Sequence, residues 1–222
     1  MSGGVSDVEI ASDALMHLGR DGLATFEDSE REAAKTLRGR YPRVRDKLLR
    51  TYPWNFAMNF ASLAGQELSK PEFGMTHRCA LPSGGANPHC LKLWRVRLQD
   101  GTASNPTRLY AGAAMPRHNR RFSVRGRYLF VAQNPPIDVQ YVARVEDPNL
   151  FDELFRELVA VDLALASINL LATNEIRRAT RELKAERRAI LRDARLSDAM
   201  ESFGDKFGQG EQGSWLDARR PL

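Results

Sequence analysis

Apolar residues recur at helical spacing as far as Tyr52, and that period is then lost for about ninety residues. The switch constrains the fold more than any other feature of the chain. Tyr41, Val44, Leu48 and Tyr52 keep the period, with Arg43, Arg45, Lys47 and Arg50 between them. Pro53 must end the helix, because its ring removes a backbone donor and biases the preceding residue out of the α region. Trp54 and Phe56 follow at once, two large rings that demand burial. Tyr41, Tyr52, Pro53, Trp54 and Phe56 are therefore expected to form a helix-to-sheet junction. Arg43, Arg45, Lys47 and Arg50 read as the outer face of a helix, available to a neighbouring subunit.

Upstream, Val8, Ala11, Leu15 and Leu18 predict a short amphipathic helix over 5–18, with Ser6 and Glu9 spaced as a capping box. A second helix is expected over about 29–51, with a kink or break at Pro42. Downstream, residues 54–148 alternate short apolar runs with proline and glycine turns, the pattern of short strands. The clearest strand is 137–145. Phe122–Val124 and Tyr128–Phe130 flank Arg125-Gly126-Arg127 as a hairpin, and 91–98 forms a strand whose alternation slips near Trp94, as at a bulge. Residues 102–120 show no pattern and read as a long loop.

The helical period returns after Asp147-Pro148-Asn149. Phe151, Leu154, Leu158, Val161, Leu165 and Ile168 repeat at alternating three and four, a heptad-like seam. A further helix runs from Thr173-Asn174 to about residue 203. The predicted class is α+β: an antiparallel bundle of about four helices (1–53 and 149–203) with a β-rich insert (54–148) between helices two and three. A Gly-rich arm, 204–222, ends the chain, with Trp215, Arg219 and Arg220 as docking candidates.

Charge is unevenly spread. Between Lys70 and Ala132 there are eleven Lys/Arg and two Asp/Glu, so the segment carries +9 of a chain whose net charge is +5. Such a segment suits a polyanion or an acidic protein surface. Arg177, Arg181, Lys184, Arg188, Arg192 and Arg195 make a second basic row, about 27 Å long on one helix face, for a subunit or DNA-channel contact.

Other classes find little support. No apolar run approaches the ~18 residues of a membrane span, and no secretory signal is visible at the N-terminus. Cys79 and Cys90 are too few for a disulfide scaffold. With His77 and His89 they offer metal-ligating atoms, but adjacent strand residues point to opposite faces, so buried thiols and surface imidazoles are the better reading. No phosphate-cradling, zinc-protease, nucleophile-elbow or CxxC motif occurs, so no catalytic residue, cofactor or metal is assigned and the chain is not expected to be an enzyme.

Tyr41-Pro42-x-x-Arg45-Asp46-x-Leu48-Leu49-Arg50-x-x-Pro53-Trp54-Asn55-Phe56-Ala57 resembles the head-to-tail adaptor family of short-tailed bacteriophages, often called tail tubular protein A. Ala14-Leu15-x-x-Leu18-Gly19 with Thr25-Phe26-x-Asp28 is similar to the family's opening. Leu81-Pro82 and Cys90-Leu91-x-x-x-Arg95-Val96 are similar to one further stretch, here split by an insertion at 83–89. Tyr141-Val142-Ala143-Arg144-Val145-x-Asp147-Pro148 and Phe151-Asp152-x-Leu154-Phe155 resemble its strand-to-helix entry.

The resemblance implies a structural virion protein in the neck, with a cytoplasmic stage during assembly in the host. It implies a ring, typically of twelve copies, that joins the portal protein to the tail nozzle protein. It also implies that non-specific double-stranded DNA passes through the ring, with no cofactor and no membrane. The rival readings are a nucleic-acid-binding module, motivated by the basic insert, and a tail-associated cell-wall hydrolase.

Overall fold

The computed structural model describes residues 5–26, 32–97, 103–104, 122–171 and 176–207, without the side chains of 103–104, 170–171, 176–179 and 202–207. The class is α+β, with four α-helices and two antiparallel sheets among those residues. Contacts divide the chain into two compact units. The helical unit comprises Met1–Arg45, Trp54–Phe56 and Asp147–Leu222, and the sheet unit Asp46–Pro53 and Ala57–Glu146.

In the helical unit, α1 (Asp7–Met16) opens on a capping box. Ser6 Oγ accepts from the Glu9 amide at 3.2 Å, and Glu9 Oε2 accepts from the Ser6 amide at 2.9 Å. Two otherwise orphaned donors are thus satisfied by two side chains. Ile10, Ala11, Ala14 and Leu15 are buried.

Helix α2 (Glu32–Thr51) runs through Pro42 without a break, so of the kink or break expected there the break does not occur. Pro42 lies on the exposed face, so the carbonyl it leaves without a partner meets water. Ala34, Leu37, Tyr41, Val44 and Leu48, all buried, hold the turns on either side in register. A 3-10 turn, Asn55–Ala57, follows it.

Asp147 caps a second 3-10 turn, Pro148–Leu150, by accepting from the Asn149 amide at 2.9 Å. Helix α3 (Glu153–Leu171) then packs against α1 and against α4 (Ile176–Phe207). Burial on α3 is wider than a heptad seam. Phe151, Leu158, Val161 and Ile168 are buried, but so are Phe155, Val159, Leu163 and Ala164, while Leu154 and Leu165 are only half-buried. A helix apolar on most sides is enclosed by its neighbours rather than paired along one stripe. Helix α4 continues through Gly204 to Phe207, so the first four residues assigned to the arm are helical. The rest of the arm lies outside the described residues.

The sheet unit holds β1 (Met58–Leu63), β2 (Gly65–Glu72), β3 (Met75–Ala80), β4 (Cys90–Arg97), β5 (Ala103–Ser104), β6 (Phe122–Arg125), β7 (Tyr128–Val131) and β8 (Ile137–Ala143). One sheet has the order β1-β8-β4-β5 and the other β2-β3-β7-β6. Leu63, Val96, Ile137, Val139 and Tyr141 from the first sheet join Cys79, Phe122, Leu129 and Val131 from the second in a single core cluster. The sheets therefore face each other as a sandwich.

The β6–β7 hairpin turns at Gly126, whose φ of 58° suits glycine. Strand β4 shifts register against β8 on either side of Leu93, a bulge beside Trp94. Ala103 and Ser104, inside the stretch read as loop, pair with Arg97 and Val96, and the remainder of that stretch lies outside the described residues.

Candidate interaction surfaces

The junction residues divide between inside and edge. Tyr41 is buried, and that burial, reinforced by the Asp7 carboxylate, pushes its phenol up. Trp54 is 1% exposed, whereas Tyr52, Pro53 and Phe56 are half-buried. Within the helical unit Trp54 meets Phe155 edge-on at 5.1 Å between ring centroids. Phe56 meets Phe155 at 5.0 Å and Phe151 at 5.8 Å, and Phe151 meets Phe155 at 5.2 Å. Four rings thus close on one another in the offset and edge-to-face geometries that aromatic quadrupoles favour.

Asn55 is fixed beside them. Its amide donates to Asp198 Oδ1 at 2.7 Å, and its Nδ2 donates to the Asp198 carbonyl at 2.7 Å. Burial raises the pKa of Asp198 from its ordinary value, the Asn55 amide opposing.

A second polar pair was missed in the sequence. Asp162 is 8% exposed in the middle of apolar α3, and Arg187 of α4 grips it with Nε on Oδ1 and Nη2 on Oδ2, the latter at 3.0 Å. Hydrogen bonding to Asp162 raises the Arg187 pKa. A lone acid inside an apolar helix was the available signal, because a buried charge demands a partner.

The row on α4 is exposed at Arg181, Lys184, Arg188 and Arg192 and half-buried at Arg195, while the Arg177 side chain lies outside the described residues. One of its members is engaged: Arg192 meets Asp193 at 3.2 Å. Glu186, off the row, lies 3.8 Å from His17. Trp215, Arg219 and Arg220 lie outside the described residues.

In the sheet unit the insertion at 83–89 is a loop closed at its neck. The Cys90 amide donates to the Pro82 carbonyl at 2.9 Å, and Gly84 bridges Asn87. Arg127 clamps it, donating to the carbonyls of Pro82 at 2.7 Å and Cys90 at 3.2 Å and lying 3.0 Å from His89 Nε2. Tyr141 Oη donates to the Pro88 carbonyl at 3.1 Å. Arg144 pairs with Asp46 at 2.7 Å.

Other cations of the basic insert are also engaged. Arg78 lies over Tyr128 and donates to Gln66 at 3.1 Å. Arg125 pairs with Glu72 at 2.8 Å and lies over Phe73 and Phe130. Lys92 donates to the Arg50 carbonyl at 3.2 Å, and burial, then Arg50, lowers its pKa. Arg108, Arg117, Arg120 and Arg121 lie outside the described residues.

Phe73 is 90% exposed at the β2–β3 turn with φ 51°, in the left-handed region that an aromatic residue rarely adopts. Cys79 and Cys90 are buried free thiols, and burial pushes Cys79 up and Cys90 up to about 11. His77 Nδ1 lies 2.9 Å from Thr76 Oγ1. Among the described residues no three His, Cys, Asp or Glu side chains gather around a point that would hold a metal, and no helix is long and apolar enough to cross a membrane. No protein-family model and no curated protein matches the sequence.

Proposed function

We propose that the chain is a non-enzymatic structural protein of a phage neck: a head-to-tail adaptor that assembles as a ring of twelve copies between portal and tail nozzle. In this reading its helices form one bundle, and DNA leaves the head through the ring. One observation carries the reading. The segments that resemble the adaptor family contact one another within each unit, and do so as packing rather than as a reactive site. In the helical unit Trp54 and Phe56 of the first motif stack with Phe151 and Phe155 of the last. In the sheet unit Asp46 of the first motif binds Arg144 of another. The split motif is rejoined at Pro82 and Cys90 by a backbone hydrogen bond of 2.9 Å across the neck of the insertion. Residues that recur for packing fit a protein whose task is to hold shape under load.

The test is co-purification with the portal protein encoded near its gene. The adaptor reading expects a stable complex with several copies of this chain per portal ring. Failure to associate at micromolar concentrations, or clearing of a peptidoglycan zymogram by the purified chain, would reject it.

A further inference from the structure

The cations of helix α2 stand apart from those on the strands. Lys35, Arg38, Arg43, Lys47 and Arg50 are all exposed, and their side chains make no ion pair among the described residues. They occupy the half of the helix opposite the buried stripe Leu37, Tyr41, Val44 and Leu48. From Lys35 to Arg50 the row extends about 22 Å at 1.5 Å per residue. The nearby acid Asp46 is turned to Arg144. Arg45, grouped with this face from the sequence, is instead 6% exposed and belongs to the buried side.

We infer that this face of α2 binds the phosphate backbone of double-stranded DNA, without sequence preference. Two observations favour DNA over an acidic protein. None of the exposed large apolar side chains among the described residues lies on α2, whereas a protein interface needs apolar or aromatic anchors at its centre. Gly39 is exposed on the same face, and a Cβ there would meet nothing within 4 Å. Packing does not require that glycine, but close approach of a ligand would use it. Between Lys35 and Arg50 the row holds one acid, Asp46, and Arg144 occupies it, so little remains to set a register, which suits a uniform polyanion sliding past. The inference rests on the adaptor reading only in naming duplex DNA as the polyanion.

The test is fluorescence anisotropy of the full chain with a random 25-base-pair duplex between 50 and 200 mM salt. Five phosphate contacts give a log–log slope of about −4.5, a loss of about 500-fold over that range. Arg43→Gln, Lys47→Gln and Arg50→Gln together should cut the slope by about 2.7 and leave a loss of about 12-fold. Each single change should remove about 0.9, which keeps the test alive if the triple variant fails to fold. Arg181→Gln, Lys184→Gln and Arg188→Gln on α4 should leave the slope unchanged.

No binding at 50 mM salt, equal effects from the α2 and α4 variants, or equal affinity for polyglutamate would overturn the assignment. Lost portal association with DNA binding intact would reject the adaptor reading and leave this one standing.

Discussion

The strand region and helix α2 are both rich in arginine and use it in opposite ways. Arg127 gives its guanidinium to two backbone carbonyls and reaches an imidazole, Arg144 to a carboxylate, and Arg125 and Arg78 to rings and carboxylate or amide oxygens. On α2, Arg38, Arg43 and Lys47 face water. Charge alone therefore does not mark a binding surface. A cation already held by hydrogen bonds would have to break them to reach a ligand, at about 1.5–3 kcal/mol per charged hydrogen bond.

Changes in the apolar centre set the scale for this contrast. Trp54→Ala removes the ring that meets Phe155 and should lower unfolding free energy by about 3–5 kcal/mol in denaturant titration. A loss under about 1 kcal/mol would mean the ring cluster is not structural. Arg187→Ala strands the buried Asp162 carboxylate and should cost about 3 kcal/mol. Arg127→Ala should cost about 1–3 kcal/mol by releasing the Pro82 and Cys90 carbonyls, while Arg43→Ala stays within about 0.5 kcal/mol. Equal losses at Arg127 and Arg43 would erase the distinction between built-in and outward cations.

Asp198 sharpens the comparison through pH. Its folded pKa lies above the ordinary 3.8, so its charged form costs stability at neutral pH, and that cost fades as pH falls through the raised value. Asp198→Asn can still accept from the Asn55 amide through its side-chain oxygen. It should therefore match or exceed the native chain at pH 7, and lose that advantage by pH 4 in parallel thermal melts. A widening advantage at low pH would contradict the assigned direction. The smallest effect is at the hairpin tip. Phe73→Asn, a residue that tolerates positive φ, should be neutral or stabilising by up to about 1 kcal/mol. A clear destabilisation would show that the ring under Arg125 holds the turn.

Much of the fold was legible because periodicity survives where one face is buried. The α+β class follows from the change of period at Pro53 and its return at Phe151. Arg125-Gly126-Arg127 betrayed a hairpin, and the slip at Trp94 a bulge. The β2–β3 hairpin was not read, because β2 is an edge strand whose residues are mostly exposed and include Pro71. Its turn uses Phe73-Gly74 rather than Asn-Gly. Pro42 causes no break because propensity ignores which way the freed carbonyl faces, and Gly204 ends no helix because helix length depends on packing more than on one residue. The basic rows were legible as composition. Which cations are held by other groups depends on pairings such as Arg144 with Asp46, remote in sequence, that spacing cannot show.

The most direct test of the adaptor account is an electron-microscopy map of this chain mixed with its portal. The account predicts a closed ring of this chain, coaxial with the portal and lining a DNA-wide channel. Bare portal rings beside free monomers, under conditions where the tail nozzle protein is also present, would contradict it.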